Sequence, residues 1–278
     1  MSPTAPEERL TAELEARIRA HPEWYHTLEL APGLVTPGWF DTRGVLDRLP
    51  LPNDLRGLRC LDIGTFDGFW AFAMERRGAA EVVAIDLLEP ERWDWPIGSQ
   101  PETREAIGRR KAHGEGFLIA TEVLGSSVKR HDMSVHDLDP DAVGHFDFVY
   151  LGSLLLHLRD PIAALARVRS VCSGRLLFVD AVDAGLTLRH PRRSVAALDG
   201  VGRPWWWRPN QAGLVRMVEA GGFEVVGRPQ RVRVPAVGGQ RRPGPRAAGG
   251  MLRSPAGRAA LVHTHLGDPH AAVLARPI

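Results

Sequence analysis

Two aspartates, each at or near the end of a short apolar run, are the residues of this chain best placed to do chemistry on a ligand. The first is Asp62 in Leu61-Asp62-Ile63-Gly64-Thr65-Phe66-Asp67-Gly68, and the second is Asp86, which closes Val82-Val83-Ala84-Ile85. A carboxylate at a strand tip can accept hydrogen bonds from both ribose hydroxyls, and Gly64 and Gly68 let backbone approach a ligand that a Cβ would exclude. The spacing is D-x-G-x-x-x-G, not the G-x-G-x-x-G that turns a helix N-terminus toward a pyrophosphate. An acid at the mouth of the loop favours a cation and opposes a diphosphate, by Coulomb sign. The implied ligand is therefore an adenosine derivative carrying positive charge, and S-adenosyl-L-methionine has both a sulfonium and an ammonium. The alternative at this point is an unspecialised βα turn of some other α/β enzyme.

To position these groups the chain needs a strand, a loop, a helix and a second strand. The apolar spacing predicts strands over 60–63 and 82–86 and a helix over 69–77. Further strands are expected at 127–130, 146–150, 175–182, 223–226 and 271–275, with helices at 102–113, 161–171 and 209–220. Such alternation predicts an α/β fold, a mostly parallel sheet covered on both faces, with ligands at the carboxyl ends of its strands. Residues 1–50 read as an N-terminal cap, an amphipathic helix over 6–20 followed by an aromatic segment rich in Pro and Gly. Residues 51–278 form the main domain, with a lid around 183–210 and a mobile loop around 228–257.

Composition narrows the class. The chain has 278 residues, 44% of them hydrophobic and 24% charged, enough for one substantial core. No run of about eighteen apolar residues and no charged-then-apolar leader occurs, so a membrane span and a secretory signal are not supported and a cytoplasmic location is expected. Cys60 and Cys172 have no C-x-x-C spacing and are expected as buried thiols. Net charge is +2, yet residues 183–278 hold 15 Arg against 5 acidic residues. This asymmetry suits either an anionic partner or a solvated surface.

In order along the chain, the loop from Asp62 to Gly68, Asp86, the turn His131-Asp132-Met133 and the run Phe146-Asp147-Phe148-Val149-Tyr150 resemble the motifs of class I S-adenosylmethionine-dependent methyltransferases. Trp24-Tyr25-His26-Thr27, Thr36-Pro37-Gly38-Trp39-Phe40-Asp41 and Leu155-Leu156-His157-Leu158-Arg159-Asp160-Pro161 are similar to the branch containing the bacterial tRNA wobble-uridine carboxymethyltransferase and its shorter relatives. The likeness covers residues 22–226. It implies a Rossmann-like sheet of seven strands with helices on both faces, the last strand antiparallel and inserted between the fifth and sixth. It also implies that Asp62 and Gly64 lie by the methionine moiety, that Asp86 holds the ribose, and that Asp132 and the Met133 backbone read the adenine edge. Phe66, Gly68, Leu87 and Gly152 complete the implied cofactor set, with Trp39 closing over it, and Trp93 and Trp95 pack near adenine or fill the crevice.

Departures from that branch matter. A tyrosine preceding the matching histidine and an N-terminal lysine, which help hold a carboxylated cofactor there, are replaced here by Leu156 and by the lack of any lysine before Lys111. Plain S-adenosylmethionine and a small-molecule acceptor are expected, with a nucleic acid disfavoured though still an alternative, alongside a non-catalytic nucleoside-binding protein. Methyl transfer is an in-line displacement, so positioning in a dry pocket is the main task. Should the acceptor need a base, His157, His26 and His190 are the candidates, His157 first because it follows the fourth strand. Tyr25, Ser153 and the run Trp205-Trp206-Trp207-Arg208 are expected to contact acceptor, since aromatics beside arginine make a wall for a planar or anionic molecule. No H-E-x-x-H or clustered Cys/His spacing supports a metal, and the oligomeric state is not specified by any motif.

Overall fold

The computed structural model describes residues 5–21, 24–198, 205–235, 249, 250, 252, 253 and 266–278. In chain order the principal elements are α1 (Ala5–Ala20), β1 (Arg59–Ile63), α2 (Phe69–Arg76), β2 (Glu81–Asp86), α3 (Pro101–Lys111) and α4 (Glu115–Leu124). There follow β3 (Lys129–Asp132), β4 (Phe146–Gly152), α5 (Pro161–Val171), β5 (Cys172–Ala181), α6 (Gln211–Ala220), β6 (Phe223–Val225), β7 (Gln230–Val234) and β8 (Asp268–Pro277). Strands β1 to β5 pair in parallel in the order β3-β2-β1-β4-β5, and β8 joins β5 antiparallel. This is the expected Rossmann-like α/β sheet with its last strand reversed.

Side-chain alternation explains why both faces are covered. Cys60, Val82, Ala84, Phe148, Tyr150, Leu177 and Val179 point to one face, where Phe72 of α2, Phe117 of α4 and Trp24 and Leu28 of the N-terminal segment close over them. Leu61, Ile63, Val83, Ile85, Val149, Leu151, Leu176 and Phe178 point to the other, against Leu165 and Val168 of α5 and Leu214 and Val218 of α6. Fully buried parallel strands need such continuous apolar runs. Cys60 and Cys172 are both buried and unpaired, and burial pushes their thiols up to about 12 and about 11.

Three expectations change. Part of the segment expected as a loop at 228–257 is strand β7, in which Val232 and Val234 are buried while Gln230, Arg231 and Arg233 are exposed. That period-2 alternation is hidden in sequence by flanking Pro, Gly and Arg. Because β5 occupies one edge of β8, β6 and β7 lie end to end along the other, so eight strands fill seven sheet positions. The rest of 228–257, apart from Gly249, Gly250, Leu252 and Arg253, lies outside the described residues past Pro235. The helix expected at 102–113 ends at Lys111, and α4 begins after Gly114, whose φ of 75° breaks the run.

The segment expected as a lid contains a short helix, Ala184–Arg189, capped by the Asp183 carboxylate, and a ribbon pairing Ala196–Leu198 with Trp207–Pro209. Residues 199–204 lie outside the described set. Asn210, fully buried, ties this segment together. Its Oδ1 accepts from Gly213 N (2.7 Å) and Val195 N (3.1 Å), and its Nδ2 donates to His190 O (2.6 Å) and Arg193 O (2.9 Å). Replacing it strands several buried backbone groups and removes the N-cap of α6. Asn210→Ala is expected to lower stability by about 3 kcal/mol, measured by urea unfolding; a loss under about 1 kcal/mol would refute this role.

Candidate active site

The carboxyl ends of the strands surround a cavity of about 530 Å³, within the usual range for small-molecule sites. The strand order places its lining as a series: Asp86 at the tip of β2, Gly64 after β1, Gly152 ending β4, Ala181 ending β5 and His270 on β8. Gly64 has φ 76° and both its N–H and that of Thr65 donate to Ile85 O (2.9 and 3.2 Å), which folds the loop onto β2. Phe66, at φ 53°, is held in a strained conformation by its own N–H donating to Asp86 Oδ2 at 2.7 Å.

Four aspartates stabilise the loops around the cavity by accepting from backbone N–H groups. Asp62 Oδ2 accepts from Ala71 N (3.1 Å) and Thr65 Oγ1 (2.6 Å), while its Oδ1 is buried without a partner. Burial pushes its carboxyl up to about 6, with Thr65 pulling it down. Asp67 Oδ2 accepts from Tyr25 N (2.9 Å) and His26 N (3.0 Å), and its Oδ1 meets His26 Nδ1 at 2.9 Å, docking the N-terminal segment. Asp86 accepts from Leu87 N (2.8 Å) and Phe66 N and also pairs with the Lys111 ammonium. Asp180 accepts from Leu155 N (2.8 Å) and Ala181 N (2.7 Å), fixing the turn that carries His157, and burial pushes it up to about 7.

Many of the residues singled out from sequence line this cavity: Tyr25, His26, Trp39, Gly64, Phe66, Asp86, Leu87, Met133, Gly152, Ser153, His157, Trp205 and Arg208. Others do not, and each has a physical reason. Asp62 is turned into the core as the clamp described above. Gly68 caps α2, where a Cβ would come within 2.4 Å of the Phe72 ring. Asp132 is exposed and accepts from Arg92 (2.8 Å) and Leu88 N (3.2 Å), and the Met133 N–H donates to Asp86 O at 2.9 Å, so both already have partners within the protein. Trp206 and Trp207 are tethers: their indole N–H groups donate to Asp94 O (2.6 Å) and Arg159 O (3.3 Å). His190 lies in the lid, its carbonyl accepting from Asn210.

Sequence reasoning missed Lys111. Its side chain is 1% exposed, and its Nζ lies 4.3 Å from the Phe66 ring centroid and 5.7 Å from that of Trp93. Burial lowers its pKa while Asp86 raises it again. The only available signal was that it is one of two lysines in a chain that otherwise uses arginine. Asp180, Asp268 and His270 were also missed; the contact between His270 and Ser153 joins residues 117 apart in sequence.

The residues fit an adenosyl sulfonium. Asp86 presents a carboxylate to the cavity, Phe66, Trp93 and Ile107 offer apolar faces to a planar base, and the backbone of Gly64 and Gly152 borders it, with Tyr150 packed where a Cβ of Gly152 would lie. The carboxylate that does border the cavity, Asp86, is favourable to a cation and adverse to a pyrophosphate. Among the described residues no cluster of His, Cys, Asp and Glu could hold a metal, and no helix is long and apolar enough to cross a membrane.

Comparison with known proteins agrees with this geometry. Residues 41–227 match the family model described as a methyltransferase domain. No curated protein matches the chain. Among solved structures, the N-terminal domain of EvdMO1 in the presence of SAH and D-fucose is similar with a TM-score of 0.51 at 17% identity, covering 96% of this chain and 97% of that one. A chain of the Haloferax volcanii complex containing the Trm112 methyltransferase activator gives 0.51 at 13% identity, covering 97% and 95%. The 1,6-didemethyltoxoflavin-N1-methyltransferase of Burkholderia thailandensis gives 0.47 at 16%, covering 100% and 92%. At these identities the likeness is one of fold.

Asp180 makes stability pH-dependent in a defined direction. Its folded pKa near 7 lies above its ordinary 3.8, so its contribution is complete below about 4 and lost as pH rises through 7; Asp62 acts with the same sign up to about 6. The thermal midpoint is expected to fall from pH 5 to pH 8 (about the range of the Asp180 titration), and to fall less in Asp180→Asn. Parallel slopes in the two proteins would contradict the burial assigned to this carboxyl.

Proposed function

The chain belongs to the methyltransferase-domain family, as a class I S-adenosylmethionine-dependent methyltransferase, and from this premise we propose that it methylates a small planar or anionic molecule. The carrying observation is one continuous cavity across the tips of β2, β1, β4, β5 and β8. Its β2 and β1 end has the carboxylate, glycines and apolar faces suited to the adenosyl cofactor. The cavity is also bordered by Trp39, Phe40, Trp205 and Arg208, whose guanidinium carbon lies 5.6 Å from the Trp205 ring centroid. Aromatic faces with an adjacent guanidinium recognise flat or negatively charged acceptors. Such a molecule fits a role in biosynthesis, including specialised metabolism.

In this reading Asp86 receives the ribose hydroxyls, Phe66, Leu87, Trp93 and Met133 enclose the base, and Gly64 and Gly152 admit the methionine part. The cofactor supplies a methyl carbon activated on sulfonium. The protein supplies alignment and dryness: Tyr25 stacks on Phe66 at 4.4 Å between ring centroids, and Asp67 holds this N-terminal wall in place over the loop. Alignment of nucleophile and methyl accounts for most of what such an enzyme must contribute. His157 and His26 both border the cavity and are candidates to hold a proton; His26 is oriented by Asp67.

The branch resembling the tRNA wobble-uridine enzyme is the competing reading, and a nucleoside-binding protein without turnover is the other. Calorimetric titration with S-adenosylmethionine, S-adenosylhomocysteine and NAD separates these from a dehydrogenase: the first two are expected to bind and NAD is not. Asp86→Ala is expected to weaken S-adenosylhomocysteine about 100-fold, through two lost hydrogen bonds to a charged acceptor. Unchanged affinity in that variant would refute the ribose assignment. A tRNA complex that dissolves steeply with added salt would support the RNA reading instead.

A further inference from the structure

Ser153, after the tip of β4, and His270 and Asp268 of β8 form a hydrogen-bonded series, and all three line the cavity. Ser153 Oγ lies 3.0 Å from His270 Nε2, joining residues 117 apart in sequence. His270 Nδ1 lies 3.1 Å from the Asp268 carbonyl oxygen, with Asp268 Oδ2 at 3.8 Å. A carbonyl can only accept, so Nδ1 carries the ring proton and Nε2 keeps its lone pair. The Ser153 hydroxyl therefore donates to Nε2. Its backbone is strained into the left-handed region at φ 49°, directly after Gly152 at the tip of β4, and is held there by its N–H donating to Val179 O at 2.8 Å. The neighbours of the imidazole are consistent with a proton acceptor. Asp180 on β5 has its oxygens turned to Leu155 and Ala181, Val232 faces His270 from β7, and His157 and Arg208 border the same cavity.

We propose that His270 is the base that takes the acceptor's proton, through Ser153, in the methyl transfer that the preceding reading assigns to this site. The acceptor O–H or N–H bond breaks as its proton passes to Ser153 Oγ. The Ser153 proton moves at the same time to His270 Nε2, so the serine ends unchanged. The acceptor keeps the electron pair and spends it in the new bond to the methyl carbon. The proton rests on the imidazolium, next to the Asp268 carboxylate, until solvent removes it. Ser153 is the group that touches the acceptor. Asp268 is a positioning residue that selects the tautomer and stabilises the charged ring, as the third member of other serine and histidine arrays does. The proposal rests on the small-molecule methyltransferase reading and narrows its acceptors to those with an ionisable O–H or N–H.

The test uses 4-nitrophenol as an acceptor probe, because its ionisation is visible in its absorbance, added to the full chain saturated with S-adenosylhomocysteine. The expected result is a phenolate band that appears at lower pH than in free solution, corresponding to an ionisation equilibrium shifted about tenfold. His270→Gln is expected to return the bound probe to its solution behaviour, and Ser153→Ala to reduce the shift. A probe that titrates as in water in the wild-type complex, or fails to bind it, overturns the proposal. So does a shift that persists in both variants, which would place the effect on Arg208. If S-adenosylhomocysteine itself does not bind the wild-type chain, the failure lies with the cofactor reading and sinks both.

Discussion

Buried carboxylates that accept backbone N–H groups are the constraint on which this site depends. Loops at the ends of parallel strands expose N–H groups that no ladder satisfies, and leaving them unpaired in a buried crevice costs about 1–3 kcal/mol each. Asp62, Asp67, Asp86 and Asp180 answer that need at the carboxyl end of the sheet. Each ties down one wall of the cavity: the α2 end of the glycine loop, the N-terminal segment, the tip of that loop and the turn after β4. The same residues set the shape of the pocket and its electrostatic potential.

Each of these carboxylates has its charge compensated or suppressed. Lys111 is buried against Asp86, His26 against Asp67, while burial raises Asp62 and Asp180 toward neutrality. Asp86 alone of the four borders the cavity, so it both holds the loop and sets the charge at that strand tip. A positively charged sulfur is favoured where a pyrophosphate would be repelled, which is why one sheet architecture can serve different cofactors through the charge at its strand tips.

The strand, loop and helix from Cys60 to Arg76 were legible because every signal there is local: an apolar run, glycines at positive φ and a helix of small and aromatic residues. The aromatic residues of the N-terminal segment and Trp205 were also recognisable as candidates for a binding surface. Strand β7 was not, since three exposed polar residues and nearby Pro and Gly mask two buried valines. Nor was the role of Asp62. Its type and spacing suggested contact with ligand, but whether a carboxylate faces a crevice or the core behind it depends on which N–H groups surround it, and Ala71 is set nine residues away by the start of α2. Asp132 and the Met133 amide show the same limit: edge pairing of β3 with β2 consumes one and Arg92 draws away the other.

From its residues alone the chain determined the alternation of apolar runs, the acidic strand ends and the glycines between them, because periodicity and local backbone freedom are properties of neighbours in sequence. That was enough to specify a mostly parallel sheet, a crevice at its carboxyl ends and the sign of charge a ligand must bring. Tertiary structure alone decided which acids face the crevice, that Lys111 fills the space beside Asp86, and that His270 on the last strand meets Ser153 across the sheet. The last depends on strand order, which brings β8 against β5, and no local pattern encodes a contact between residues more than a hundred positions apart.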